Sequence, residues 1–393
     1  MKKMFTYVSL VLATSVLAAC GSGTKPSTDG ESGGNGAVEI RVKDGMYVLP
    51  SDESPDNHYL ALNIEIKNKG TKKLEISKTD ITLYNSDDEK TESLNVYDSN
   101  DKFKTLSFES LSEGKITTGY VVFEVDSKEE SYEMHYSPFA YDLEKKDTKD
   151  ITIKIDPSKY PDEKEKVAEL AKEYITSVFL NGEATGGTSN VSANSTKPEI
   201  ISLGSSNEKD KENKKDKDIS EEQSESGFAL ANDVEKERNE FTKTFIDKFG
   251  REFMNYQPSE AELRTFVEAY IKANAKRAKI TYTVKEFFPD SAVIYIRPET
   301  IGLENVKTYD LVSKFAQDHA NEYNNYSDAL KAAEKYLLEQ IPSQLDSTPL
   351  VTNDMSDRNG FRLKLTNKKG QWTVDTSDYE YDSISEAFRG GLY

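Results

Sequence analysis

The chain has 393 residues, of which 51 are Lys or Arg and 70 are Asp or Glu, so its formal net charge is −19. This length predicts two compact domains. The excess of acid excludes a general nucleic-acid binder, because nothing offsets the repulsion from phosphate. One Cys and three His exclude intramolecular disulfides and disfavour a His-based zinc site, so we expect no metal and no cofactor.

Residues 1–19 have the composition of a signal peptide, in which Lys2 and Lys3 precede an apolar run. The run is shorter than the about 20 residues that a membrane span needs. It ends in Leu-Ala-Ala-Cys, which resembles the lipobox of bacterial lipoproteins. The resemblance implies cleavage between Ala19 and Cys20, diacylation of Cys20, and a lipid-anchored chain on the extracellular face of the cell membrane. An ordinary secretory signal peptide is the alternative.

Composition divides the mature chain into five segments. Residues 20–37 are rich in Gly and Ser and predict a flexible tether. Residues 38–157 alternate apolar and polar positions between frequent turns, which predicts a β-sandwich. A helix is predicted within 158–182. Residues 183–227 carry dense mixed charge and predict a disordered linker, and 228–393 combine helical and strand periodicities, typical of an α+β domain.

The strand pattern of the N-terminal domain is clearest in Leu60, Leu62 and Ile64, and in the run 116–125, which is apolar on both faces and predicts a central strand. The sequence HYLALNIEIKNKG, followed by LSEGKITTGYVVFEVD, resembles the immunoglobulin-like domain of Gram-positive surface lipoproteins. That family carries no agreed catalytic residues, so the resemblance implies a fold and no catalytic site.

The C-terminal domain begins with an apolar helix stripe that includes Phe241, Phe245 and Phe249, followed by a capping-box spacing from Ser259 to Glu262. Two strands, two helices and a closing hairpin, LKLTNKKGQWTVD, come next. This order resembles the cone-shaped α+β fold of nuclear-transport-factor-2-like and cystatin-like domains. The helix within 158–182 has two open roles, as an interdomain connector or as the first helix of this domain.

The resemblance implies a pocket between the sheet and the helices of the C-terminal domain. Five residues would either line this pocket or fill it as core: Tyr282, Val284, Ile294, Ile296 and Trp372. The tyrosines of the C-terminal tail, Tyr379, Tyr381 and Tyr393, are likewise open to two roles, a recognition surface or packing onto their own domain.

No motif for nucleophilic catalysis or phosphate binding stands out. His58 and His135 fall in different predicted strands, and a spatial pair stays open. The loop that starts at Asp98 resembles an EF-hand only at its first, third and last positions. Lys102 and Phe103 occupy the fifth and sixth positions, which excludes that motif. A looser cation site stays open at nearby acids, Asp87, Asp88, Glu89, Asp98 and Asp101.

These patterns predict a lipid-anchored, non-enzymatic binding or adaptor protein of the bacterial envelope. Its partners would be the membrane, through Cys20, and an envelope protein, a peptide or a small ligand, with no nucleic acid. The disordered linker would let the C-terminal domain extend away from the sandwich. The alternative is an enzyme, or a small-ligand-binding protein, that uses a pocket in the C-terminal domain.

Overall fold

The computed structural model describes residues 31–96, 103–137, 150–182, 228–319, 321–353 and 360–392. The predicted signal peptide, the lipobox with Ala19 and Cys20, and the charged segment 183–227 lie outside them. The described chain forms a mostly-β N-terminal region and an α+β C-terminal region. None of its helices is both long enough and apolar enough to span a bilayer.

The described N-terminal region forms strands that pair antiparallel throughout. They make a sheet in the order β1-β2-β3-β8, a second in the order β10-β9-β5-β6, and a pair of β4 with β7. The strands are β1 (Ser32–Gly34), β2 (Val38–Val48), β3 (His58–Asn68), β4 (Leu74–Ile76), β5 (Ile81–Tyr84), β6 (Lys90–Glu92), β7 (Glu109–Leu111), β8 (Ile116–Val125), β9 (Tyr132–Tyr136) and β10 (Ile151–Ile155).

Strand β3 shows why the two four-stranded sheets pack together. Because side chains alternate along a strand, Leu60, Leu62 and Ile64 share one face, and all three are buried in one apolar cluster with residues of the second sheet. Tyr59 and Ala61 point to the opposite face and join a different cluster. The predicted strand positions and their alternation are confirmed.

Strand β8 is buried on both faces as predicted, but it lies at the end of its sheet rather than in the centre. Its outer edge is covered by an irregular segment, since the Tyr120 N–H donates to the Lys104 carbonyl and the Leu106 N–H donates to the Tyr120 carbonyl, both at 2.9 Å. Gly119 permits this approach, because a Cβ atom there would lie 2.6 Å from the Leu106 backbone.

The predicted tether, 20–37, includes residues that are ordered, because Ser32–Gly34 form strand β1 on the edge of β2. The glycines that suggested flexibility are what allow this pairing. A Cβ at Gly33 would lie 2.5 Å from the Ile151 side chain, so only glycine fits between the two sheets at this point.

The C-terminal region contains six helices, counting the one that precedes the charged segment, and six strands, in the part of the chain that is described. They are α1 (Lys164–Phe179), β11 (Ala229–Leu230), α2 (Val234–Gly250), α3 (Glu260–Arg277), β12 (Lys279–Phe288), β13 (Ser291–Ile301), α4 (Thr308–Asp318), α5 (Tyr326–Gln344), β14 (Leu350–Thr352), β15 (Phe361–Lys368), β16 (Gln371–Val374) and α6 (Tyr379–Ala387).

One curled sheet organises this region, in the order β11-β16-β15-β13-β12, with β14 also paired to β13. A β-bulge between Val284 and Glu286 interrupts the register of β12 with β13 and adds curvature. The predicted strands, the closing hairpin and the helix stripe through Phe245 are confirmed. Helix α5 continues through Pro342, which lies inside it.

Helix α1 packs against α2 and against the curled sheet, burying an apolar stripe that includes Leu170, Tyr174 and Val178. Of the two roles left open by the sequence, these contacts match the first helix of the C-terminal region. The apolar cluster around α1 continues into the N-terminal region through Leu49 and Tyr59. The described residues of the two regions therefore touch, a point that the sequence left open, because Tyr59 and Ala61 on the outward face of β3 are buried in the same apolar cluster as α1.

Candidate functional site

The interior of the C-terminal region is filled by side chains. Ile294, Ile296 and Trp372 are fully buried, and Tyr282 is 6% exposed. The ring centroids of Trp372 and Phe228 lie 5.4 Å apart, and Trp372 belongs to the same apolar cluster as the other buried residues. Three of the five residues proposed for a pocket thus serve as core here.

Tyr282 and Val284 instead line a cleft between the two regions, with a volume of about 1430 Å³. The N-terminal region contributes the turn that contains Asn57, strand β6, and the end of β8 with the turn after it. The C-terminal region contributes the start of α1 and the middle of β12. The shared apolar cluster borders this cleft, since Leu49 and Tyr282 belong to the cluster and also line the cleft.

Acidic residues outnumber basic residues in the cleft lining. Its two lysines are both paired, since Lys90 Nζ lies 3.1 Å from Glu92 Oε1 and Lys164 Nζ lies 3.9 Å from Asp162 Oδ2. Seven acids against two lysines give the lining a formal charge of −5, and the field of such a cleft attracts cations. The seven are Asp56, Glu89, Glu92, Glu124, Asp126, Asp162 and Glu165.

Tyr282 brings a polar group to the wall of this cleft. Its hydroxyl makes no hydrogen bond with the described residues, although the side chain is more than nine-tenths buried. Burial raises the pKa of this phenol, and the nearby Glu169 carboxylate raises it further, so Tyr282 stays neutral at physiological pH. A neutral phenol can both donate and accept a hydrogen bond.

The two histidines of the N-terminal region are not brought to one site. His58 lines the cleft and meets the Tyr47 ring edge-on at 6.1 Å, whereas His135 lies 4.6 Å from the Tyr84 ring in the other sheet. Among the described residues, no group of three or more His, Cys, Asp or Glu is arranged to hold a metal ion. Asp98 and Asp101 of the looser acidic site lie outside those residues.

Sequence reasoning missed the N-terminal half of the cleft. Asn57 and Glu124, whose side chains share a hydrogen bond of 2.8 Å, lie 67 positions apart, and β12 lies more than 150 positions further along the chain. No local pattern could signal that these segments meet. The available sequence signal was the run 116–125, whose apolar residues on both faces predict a covering surface on each side of its sheet.

Two family models match the chain, and both are described as domains of unknown function. DUF4352 matches residues 30–153 and DUF5105 matches residues 209–389. Helix α1 falls between the two matched stretches, although its contacts place it in the C-terminal region.

The chain is similar over nearly its whole length to an uncharacterized lipoprotein, YcdA, of Bacillus subtilis. The two are 23% identical over 400 residues, covering 98% of each. The crystal structure of YcdA covers 91% of this chain and 98% of its own, with 19% identity and a TM-score of 0.62, so the two share a fold. The YjhA structure, also from Bacillus subtilis, covers 32% of this chain and 96% of its own, with 21% identity and a TM-score of 0.26, too low to support an argument.

Proposed function

We propose that this chain is a lipid-anchored protein on the outer face of a Gram-positive cell membrane, and that it acts by binding rather than by catalysis. The signal-peptide pattern ending in Leu-Ala-Ala-Cys20 supports the anchor, and the similarity to a lipoprotein adds to it. Two acyl chains on Cys20 give stable attachment, since each buried methylene contributes about 0.8 kcal/mol.

The observation that carries the binding role is the acidic cleft between the two regions. Its walls come from both regions, and a shared apolar core fixes them relative to each other, so a ligand would meet a largely preformed site. We propose further that the N-terminal region is immunoglobulin-like and that the C-terminal region is of the cone-shaped α+β type. The C-terminal interior is apolar and filled, which favours binding between the regions over chemistry inside the cone.

The anchor is tested by cell fractionation. We expect the native chain in the membrane fraction and the Cys20→Ala variant as an uncleaved or released form. A Cys20→Ala chain that is processed and retained like the native one would refute lipid anchoring.

The binding role is tested by site-specific photocrosslinking on living cells. A benzophenone amino acid replaces Glu92, whose exposed side chain lies in the cleft, and in a matched strain it replaces Glu268, exposed on α3 outside the cleft. We expect a discrete adduct from position 92 and none from position 268. No adduct from position 92, with the chain present at native levels, would count against a binding role for the cleft.

A further inference from the structure

Strand β12 is the last strand of the curled sheet, so one of its edges has no neighbour within that sheet. Among the described residues, a backbone bridge caps this edge at one point, where Leu49 pairs with Phe287. Earlier in the strand, Tyr282, Thr283 and Val284 line the cleft. By contrast, the outer edge of β8 is covered by the segment around Lys104.

The Leu49 bridge fixes which backbone groups face outward. Leu49 and Phe287 exchange two backbone hydrogen bonds of 2.9 Å, so the N–H and C=O of Phe287 point away from β13. The bulge adds one residue between Val284 and Glu286. The next outward-pointing N–H and C=O groups therefore belong to Val284 and then to Tyr282.

Pro298 gives an independent check of which β12 backbone groups point away from β13. Ile280 continues the outward series and lies opposite Pro298 on β13. Pro298 has no N–H, so it can sit opposite Ile280 only where the two residues do not exchange hydrogen bonds. The outward amides and carbonyls of Tyr282 and Val284 have no hydrogen-bond partner within the part of the chain that the structure describes.

We propose that this free edge of β12 binds an extended, basic segment of a partner protein, which adds to the curled sheet as a further strand inside the cleft. The inference rests on the proposed binding role of the cleft and specifies its ligand. Backbone pairing would supply affinity, as it does wherever a peptide augments a sheet edge. The formal charge of −5 on the lining selects a cationic segment, and the unpartnered Tyr282 hydroxyl offers it one further hydrogen bond.

The probe is a synthetic octapeptide of alternating Lys and Val, added to the mature chain carrying Cys20→Ser, and its binding is measured by fluorescence anisotropy at low salt. One control peptide replaces every Lys by Glu. Two further control peptides carry N-methyl groups on alternate amides, one on the odd-numbered and one on the even-numbered residues, because either set of amides could face β12. We expect the Lys–Val peptide to bind. The Glu–Val peptide and one of the two N-methylated peptides should bind at least about tenfold more weakly. Equal binding of all the peptides would overturn the proposal.

Two protein variants locate the site. Val284→Pro removes an outward N–H without touching the ladder to β13, and we expect about tenfold weaker binding. Glu165→Lys reverses a charge on the cleft wall and should weaken binding about threefold, whereas Glu268→Lys, the same change outside the cleft, should leave it unaltered. Equal effects of the two charge reversals would refute a site in the cleft.

Hydrogen exchange gives a readout that does not depend on any variant. Bound peptide should slow exchange of the Tyr282 and Val284 amides in the native chain. Binding without this slowing would refute strand addition. An adduct from position 92 on cells, combined with no binding of the Lys–Val peptide, would refute this inference alone, whereas the absence of both would also remove the proposed function.

Discussion

Leu49 and Phe287 join the two regions of the molecule through a pair of backbone hydrogen bonds, each 2.9 Å long. Leu49 directly follows β2 and Phe287 lies near the end of β12, so the two sheets meet backbone to backbone. Both side chains are 1% exposed and belong to one apolar cluster. The stability of each region therefore depends on the other.

Truncating Leu49 should destabilise the whole described chain. We expect Leu49→Ala to lower the free energy of unfolding by about 2–5 kcal/mol, because it removes buried methyl groups and leaves a cavity. The measurement is urea unfolding followed by circular dichroism and by Trp fluorescence, with one coincident transition expected in the native chain. Ile116→Ala, at a side chain that is 52% exposed, is the control and should change stability by no more than about 0.5 kcal/mol. Two separate transitions in the native chain would show that the regions fold independently.

Trp372 is the sole Trp of the chain and is fully buried, with ring neighbours Phe228 and Phe287. Its indole N–H has no hydrogen-bond partner among the described residues. Trp372→Phe keeps most of the ring and removes this unsatisfied donor, so we expect a loss of no more than about 1.5 kcal/mol, against about 3–5 kcal/mol for Trp372→Ala. Differential scanning calorimetry of the three chains measures both. Similar losses for the two variants would contradict the core role.

Local periodicity predicted much of this fold because each pattern reports on its own segment. The spacing of Phe241, Phe245 and Phe249 places three side chains on one helix face, and the alternation of Leu60 and Leu62 fixes which face of β3 enters the apolar cluster between the two sheets. Each pattern can be recognised without knowing which segment packs against that helix or strand.

The cleft and the Leu49–Phe287 bridge could not be predicted in this way. This backbone bridge joins segments more than 200 positions apart. It uses backbone N–H and C=O groups, which nearly all residues carry, so the order of side-chain types in the sequence does not predict it. The glycines around Gly33 were equally ambiguous, since the same composition suits a flexible tether and a strand packed too closely for any Cβ.

Tyr174 and Tyr381 predict a sensitivity to alkaline pH. Their hydroxyl oxygens lie 2.7 Å apart, and the Tyr174 hydroxyl also donates to the Glu237 carboxylate. Burial raises the pKa of Tyr381 from its usual 10 to about 12. Because the folded-state pKa is the higher one, the stabilising contribution is complete below pH 10 and is lost as the pH rises from there to about 12.

We therefore expect Tyr381→Phe to flatten the fall in the urea midpoint between pH 9.5 and 12, by an amount equivalent to at most about 2–3 kcal/mol. It should also lower stability at neutral pH by about 1 kcal/mol, through the lost hydrogen bond to Tyr174. Tyr326→Phe, at a ring that is 78% exposed on α5, is the control and should leave the alkaline slope unchanged. An unchanged slope in Tyr381→Phe would show that the buried pair does not govern alkaline unfolding.

Glu262 predicts the opposite dependence in acid. Its carboxylate accepts hydrogen bonds from the Tyr256 hydroxyl at 2.6 Å and from the Ser259 hydroxyl and N–H at 2.7 and 2.8 Å, closing the capping box at the start of α3. These bonds, that from Tyr256 first, lower the pKa of Glu262 from 4.5 to about 2. Because the folded-state pKa is the lower one, the stabilising contribution is complete above pH 4.5 and is lost as the pH falls towards 2. Glu262→Gln should therefore reduce the acid-induced fall in the urea midpoint between pH 5.5 and 3, while Glu268→Gln, an exposed change on the same helix, should retain it. If both variants followed the native curve, the capping box would not be a source of the acid sensitivity.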